Sequence, residues 1–277
     1  MTGILVEYKP RLDMPSVDSN ISKANLRQDN ENGFTIIGHR GAAGLAPENT
    51  LGGFATALQL GCPMLELDVH LARDNGQGQQ LVVIHDEQLQ RTTNGNGPVN
   101  GYTVAKLKEL DAGNGAKIPL LEEVTDLIRK HNEQLECSVR LNIELKGDDT
   151  AAPVAAFLQD NPDLDALVSS FQHQELARFR KLDPTTAVAP LYGRYDSAWH
   201  ETAKKLGASA VNISSRMATA QRISQIRSAG YSVYVYTVNR ARLAAKLKAD
   251  GASGVFTDRP DLMFRAALGP CAWDTPA

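Results

Sequence analysis

Glu66 and Asp68 stand two residues apart in the stretch PMLELDVHL. Side chains at i and i+2 of a strand point to one face. Two hard oxygen ligands would therefore project side by side from a strand end, a pair suited to a divalent cation. His85 returns 17 residues after Asp68, at the end of LVVIH. The intervening NGQGQQ reads as a turn and is too short for a crossover helix, so the return is a hairpin that brings His85 back beside the carboxylates. Gly38-His39-Arg40-Gly41 closes an earlier apolar run and adds a second imidazole and a guanidinium. Two histidines, an arginine and a metal-ready carboxylate pair suit cleavage of a phosphate ester, which needs a base for the attacking oxygen and an acid for the departing one.

Elements must position these groups. Short apolar runs at 34–38, 64–69, 139–145, 167–171, 187–192, 210–214, 232–238 and 254–258 alternate with segments of helical spacing. ENTLGGFATALQLG follows Pro47 and stops at Gly61, and PLLEEVTDLIRKHN has Pro119 near its first turn and basic residues at its end. Eight runs with helices between them predict an α/β fold, a (β/α)8 TIM barrel over 33–69 and 118–268. The hairpin strand LVVIHD lies outside the parallel count. The Gly- and Asn-rich stretch 70–117 reads as a small insertion between strand 2 and helix 2, lying over the barrel mouth, with Gly95, Gly97 and Gly101 as turn formers. Residues 1–32 read as a polar N-terminal extension and 269–277 as a C-terminal tail. An open doubly wound sheet is the alternative, weakened because no G-x-G-x-x-G follows the first strand.

In such barrels catalytic groups sit at the C-terminal ends of the strands. His39 and Arg40 follow the first run, Glu66, Asp68 and His70 close the second, and Asn142, Glu144 and Lys146 close the third on one face. Tyr236 and Asn239 close the seventh run and Asp258 the eighth. Glu144 is the natural third ligand beside Glu66 and Asp68. Three carboxylates favour Mg²⁺ or Ca²⁺ over zinc, since sulfur and imidazole are missing from the set. The competing reading is a salt-bridge network with Arg40 and Lys146, although an acidic trio buried without a cation would be costly. Arg40 offers a planar fork to phosphate oxygens and Lys146 a second positive charge. Phe171 and Tyr236 would wall the pocket or pack in the core, and Glu48 and Asn49 either cap the first helix or face the site. His70 either joins the Glu66 face or lines the inserted loop only, while His131, His173 and His200 fall in helical segments as surface residues.

The totals exclude other classes. Lys+Arg 29 against Asp+Glu 32 gives a formal net charge of -3, which does not suggest a nucleic-acid-binding surface. No apolar run approaches the roughly 20 residues of a membrane span. The first residues show no signal peptide, and Cys62, Cys137 and Cys271 are too few and too scattered for a disulfide framework. The expectation is a cytoplasmic protein with reduced thiols.

With these residues in place, the chain resembles the glycerophosphodiester phosphodiesterase family. The matching pieces are HRG with PENT (39–41, 47–50), ELDVHLARD (66–74), VVIHDEQLQRTTNGNG (82–97), NIELK (142–146), SSF (169–171), YTVN (236–239) and FTDRP (256–260). The resemblance implies a TIM barrel with an inserted subdomain, one divalent cation, and hydrolysis of glycerophosphodiesters, the deacylated phospholipids, to sn-glycerol 3-phosphate and an alcohol. It implies that His39 and His85 are the catalytic pair, that Glu66, Asp68 and Glu144 hold the metal, and that Arg40 and Lys146 face the phosphate. The family often has Trp where this chain has Tyr236. Direct attack by water and prior attack by the glycerol 2-hydroxyl both stay open, as do the choice of alcohol and the oligomeric state. A glycoside hydrolase would use the carboxylates but leave two histidines and an arginine idle. A non-catalytic barrel would bind a phosphate ester without turnover.

Overall fold

The computed structural model describes residues 33–73 and 78–267. The extension at 1–32 and the tail at 269–277 lie outside the described residues. Eight parallel strands close into a barrel: β1 (Thr35–Gly38), β2 (Met64–Arg73), β4 (Arg140–Leu145), β5 (Ala166–Ser170), β6 (Ala187–Tyr192), β7 (Ala210–Ser214), β8 (Ser232–Tyr236) and β9 (Gly254–Thr257). Closure comes from β1, which pairs with β9 over Thr35↔Gly254 to Gly38↔Thr257 and with β2 at Ile37↔Met64. The expected antiparallel return is present: β3 (Gln79–Val83) runs against the far half of β2, from Val69↔Val83 to Arg73↔Gln79. Of the expected turn NGQGQQ, Gln79 and Gln80 belong to β3, and 75–77 lie outside the described residues.

The period of two sorts side chains between two environments. Leu65, Leu67, Leu141, Ile143, Val168, Val188, Val211, Val233 and Val255 pack outward in one cluster with helix residues such as Phe54, Val124, Leu176 and Ile223. Their neighbours Ile37, Met64, Leu167, Ala189, Ala210, Tyr234 and Phe256 form a separate cluster inside the barrel. Both faces are thus buried, which is why the strands read as near-continuous apolar runs. The inward series continues up β2 as Glu66, Asp68 and His70, and up β4 as Asn142 and Glu144, so the barrel interior is apolar below and polar at the mouth.

Helices α1 (Leu51–Gln59), α2 (Val104–Glu109), α3 (Leu121–Leu135), α4 (Ala151–Asp160), α5 (His173–Leu182), α6 (Trp199–Leu206), α7 (Ala220–Ser228), α8 (Ala241–Ala249) and α9 (Pro260–Ala267) complete the chain. The first helix starts later than Pro47 suggests. Thr50 is its N-cap, with its side chain accepting from the Gly53 amide at 3.2 Å. Asn49 is held in a left-handed turn (φ 55), its amide donating to the Arg40 carbonyl at 3.1 Å. Between β3 and α3 lie two 3-10 turns and α2, packed around Ala72, Val82, Ile84, Leu89, Val99, Leu107, Ala112 and Ile118. Among the described residues no helix is long and apolar enough to cross a membrane.

Candidate active site

The acidic triad follows from strand register. β2 and β4 pair in parallel with Asp68 opposite Glu144 and Glu66 opposite Asn142, so the inward carboxylates of two neighbouring strands meet. One ligand oxygen from each of Glu66, Asp68 and Glu144 lies within 4.8 Å of the others, and all three residues are buried. Burial, and then the charges of Asp68 and Glu144, hold Glu66 well above the usual carboxylate range. Burial and Asp68 push Glu144 up to about 7, against the opposing pull of Lys146. Glu66 Oε1, Asp68 Oδ1 and Glu144 Oε1 are buried without a hydrogen bond, although the Lys146 ammonium stands 3.1 Å from Glu144 Oε1. Three converging oxygens of one hard type with unfilled acceptor capacity fit a divalent metal ion, and this triad could hold one.

The loop after β1 supplies one flank. His39 is placed by its amide, which donates to the Thr257 carbonyl at 3.0 Å. Its Nδ1 lies 2.6 Å from Asp258 Oδ1, and its Nε2 lies 4.0 Å from Glu66 Oε2. Asp258 is oriented by Asn239, whose Nδ2 donates to Oδ2 at 2.6 Å and whose Oδ1 accepts from the Asp258 amide at 2.9 Å. Burial works against its charge, yet the bonds from His39 and Asn239 keep Asp258 below the usual carboxylate range. An ionised Asp258 accepts, so Nδ1 donates to it and Nε2 is the ring nitrogen that faces the triad.

Arg40 adopts φ 50, and this left-handed turn aims its amide at Glu66 Oε2, 2.8 Å away. Its side chain donates to Glu48 Oε1 at 2.8 Å and passes 3.4 Å from Asp68 Oδ2. Burial opposes the guanidinium charge, but Asp68, Glu66 and Glu48 outweigh it and raise the Arg40 pKa. Gly41 must be glycine: at φ +84 a Cβ would meet the Gly53 carbonyl carbon at 2.6 Å.

The hairpin supplies the other flank. The Ile84 amide donates to the Asp68 carbonyl at 3.0 Å, which seats His85 beside the triad. His85 Nδ1 lies 2.5 Å from Asp86 Oδ1 and its Nε2 lies 3.0 Å from Lys146 Nζ. Burial is the main cause that lowers the His85 pKa; Arg40 and Lys146 add to it against Asp68 and Asp86. Asp86 is held far below the usual range, first by its hydrogen bond from Arg91. Phe171 and Tyr236 meet edge to face with ring centroids 5.7 Å apart, and Lys146 Nζ lies 5.6 Å from the Phe171 centroid.

The structure thus brings His39, Arg40, Glu66, Asp68, His85, Glu144, Lys146, Phe171 and Tyr236 to one mouth. Glu48 and Asn49 do not cap α1. Glu48 pairs with Arg40, and the buried Asn49 donates to Asp68 Oδ2 at 2.8 Å. His70 is buried with Nε2 3.0 Å from the His85 carbonyl, so it braces the hairpin. His173 is not a free surface group: its Nε2 lies 3.1 Å from the Leu191 carbonyl and its ring 4.8 Å from that of Tyr192. Asn239 and Asp258 stand at the strand ends where the sequence places them, with a role in holding His39 that the sequence does not show, while Asp86 and Arg91 are not singled out by it. Adjacency to His85 signals Asp86, and closure of the last strand on the first signals Asp258 for His39.

A TIM barrel with a polar cluster at the C-terminal ends of its strands is a general enzyme architecture. Similarity to known proteins narrows the class. Residues 39–262 match the model of the glycerophosphoryl diester phosphodiesterase family, and the chain belongs to that family. The YhdW protein of Bacillus subtilis is 36% identical over 83% of this chain and 96% of its own length. The glycerophosphodiester phosphodiesterase of Bacillus altitudinis is 35% identical over 82% and 95%. An Oleispira antarctica phosphodiesterase, solved in complex with the product sn-glycerol-3-phosphate, is 34% identical with a TM-score of 0.78, covering 85% of this chain and 97% of that one.

Proposed function

We propose that this chain hydrolyses glycerophosphodiesters to sn-glycerol 3-phosphate and an alcohol, with His39 and His85 as proton carriers. The observation that carries the reading is the symmetry of the mouth: two imidazoles, each with Nδ1 on a carboxylate, flank one buried acidic triad. Glu66, Asp68 and Glu144 would hold one divalent cation, Mg²⁺ or Ca²⁺. When bound, that ion supplies positive charge opposite the phosphoryl oxygens.

The chain's own groups account for the rest. Arg40 and Lys146 counter the charge that grows on the phosphoryl group as the new P–O bond forms. One imidazole takes the proton from the attacking oxygen at Nε2. The other, as imidazolium, gives its proton to the alcohol oxygen as the old P–O bond breaks. Asp86 and Asp258 fix the ring orientation and balance the charge of whichever ring is protonated. Phe171 and Tyr236 present an apolar wall to the glycerol carbons. The inserted segment 70–117 carries His85, Asp86 and Arg91 to the mouth, so it is part of the site.

The test is release of sn-glycerol 3-phosphate from the choline, ethanolamine, glycerol and inositol diesters, before and after chelation and with Mg²⁺ or Ca²⁺ restored. Turnover that stops on chelation and returns with either ion is expected. No release from any diester under any condition overturns the reading.

A further inference from the structure

The 3-10 turn Leu89–Arg91 presents a side chain that the proton transfers above leave unused. Leu89 is fully buried in the apolar cluster of the inserted segment, so the turn is anchored from below. The loop behind it is tight: a Cβ on Gly95 would lie 2.6 Å from Leu110 Cδ1. From this anchored turn the Arg91 guanidinium enters between two carboxylates that come from different parts of the fold. Its Nε donates to Asp86 Oδ2 at 2.5 Å and its Nη2 to Asp86 Oδ1 at 3.0 Å. Its Nη1 donates to Glu48 Oε2 at 2.9 Å and its Nη2 to Glu48 Oε1 at 2.8 Å. Asp86 is the partner of His85, and Glu48 is the partner of Arg40.

We propose that Arg91 is a positioning residue that sets His85 and Arg40 at a fixed separation by clamping Asp86 and Glu48 together. The proposal rests on the reading in which His85 moves a proton and Arg40 grips the phosphate. A planar guanidinium satisfies two carboxylates bidentately, whereas an ammonium is a point charge that cannot hold both in one plane. Without the fork, two anionic side chains face each other and both swing away. The ring of His85 and the guanidinium of Arg40 then lose their common reference. Arg91 itself stands one residue back from the reacting phosphate on either arm, so its effect passes through its partners.

Arg91→Met keeps the unbranched apolar stem of the side chain and removes its donors. With the choline diester, kcat is expected to fall about 100-fold, the scale of a misplacement of about 1 Å at a reacting centre. KM is expected to rise about 10-fold through Arg40. A merely structural role would not produce the following split. In an Asp86→Asn background Arg91→Met costs no further kcat, and in a Glu48→Gln background it costs no further KM. Arg91→Lys recovers only part of the loss. Wild-type kinetics in Arg91→Met, or losses that multiply in both backgrounds, overturn the clamp. Should Arg91→Met fail to fold by its thermal melt, Arg91→Lys decides alone, and wild-type kinetics there also overturn it. If the wild type itself releases no sn-glycerol 3-phosphate, the catalytic reading has failed; if it does and the cycle shows no coupling, only the clamp has failed.

Discussion

The Lys146 ammonium lies 3.0 Å from His85 Nε2 and 3.1 Å from Glu144 Oε1, so one cation spans the imidazole on the hairpin and the acidic triad in the barrel. Lys146 also stands 3.9 Å from Asp68 Oδ1. It is therefore placed to neutralise the triad in part and to press on the protonation of His85.

That contact has a measurable sign. Burial, Arg40 and Lys146 together lower the His85 pKa. Lys146→Met removes one of the two cations and should raise the midpoint of the metal-free protein toward the ordinary value of about 6.5. Proton NMR titration of the His85 ring reads it directly, and an unmoved midpoint would rule out the contact. The same variant should lose about 100-fold in kcat/KM, the scale on which removal of one charge-stabilising group acts.

The two histidine–carboxylate pairs should behave alike. Asp258→Asn and Asp86→Asn each replace an ionised acceptor with an amide, so the ring loses the group that fixes its Nδ1 proton. Each should lower kcat by about 10²–10⁴-fold with little change in KM. The pairs also permit the acid to be told from the base. A glycerol phosphodiester of p-nitrophenol has a leaving group that needs no protonation. Of His39→Ala and His85→Ala, the variant lacking the acid should cleave it nearly as fast as wild type, while the other should not. Equal loss in both on this substrate would contradict a divided role.

Legibility in the sequence tracked how local each contact was. The i, i+2 spacing of Glu66 and Asp68 was enough to place both on one strand face, and the short turn after Asp68 was enough to place His85 beside them. Pairing of Asp258 with His39 depends on β9 closing against β1, a meeting of the two ends of the barrel that no local pattern carries. Asn49 stays open in the sequence between the helix cap and the site for a different reason. Its type suits a helix cap, but the next residue, Thr50, took the cap, and Asn49, in a left-handed turn, donates from its side-chain Nδ2 to Asp68. Arg91 was hidden because its two partners lie five and 43 residues away, in separate loops.

Metal binding should be coupled to pH through stability. Glu66 and Glu144 have folded-state pKa values raised above their unfolded ones, to about 7 for Glu144. In the metal-free protein their contribution to stability is full below the unfolded value of about 4.3 and is lost as pH rises through the folded values. The metal-free protein should therefore lose melting temperature between about pH 5 and about pH 8 from this source. A divalent ion competes with those protons, so the rise in Tm on adding Mg²⁺ or Ca²⁺ should be larger at about pH 8 than at about pH 5. Glu144→Gln should shrink the ion-induced rise and make the metal-free protein less sensitive to pH. Thermal melts with chelator or ion at the two pH values check this, and an equal ion-induced rise at both would count against the triad as the binding site.

Phe171 offers the sharpest separation of binding from folding. It is 45% exposed, an unusual state for a large apolar ring, yet it is held edge-on to Tyr236 and beneath Lys146. Its exposed face is surface that a bound glycerol backbone would cover, and such burial is worth about 25 cal/mol per Å². A contact made equally in the bound and transition states changes KM and not kcat. Phe171→Ala should thus raise KM about 10-fold, leave kcat within about twofold, and leave the melting temperature nearly unchanged. Phe54→Ala is the contrast: that ring is wholly buried between α1 and the barrel, and its removal should cost about 3–5 kcal/mol of stability. A fall in kcat for Phe171→Ala without a change in KM would instead place the ring in the orientation of Lys146, 5.6 Å above it, and not in the grip on glycerol.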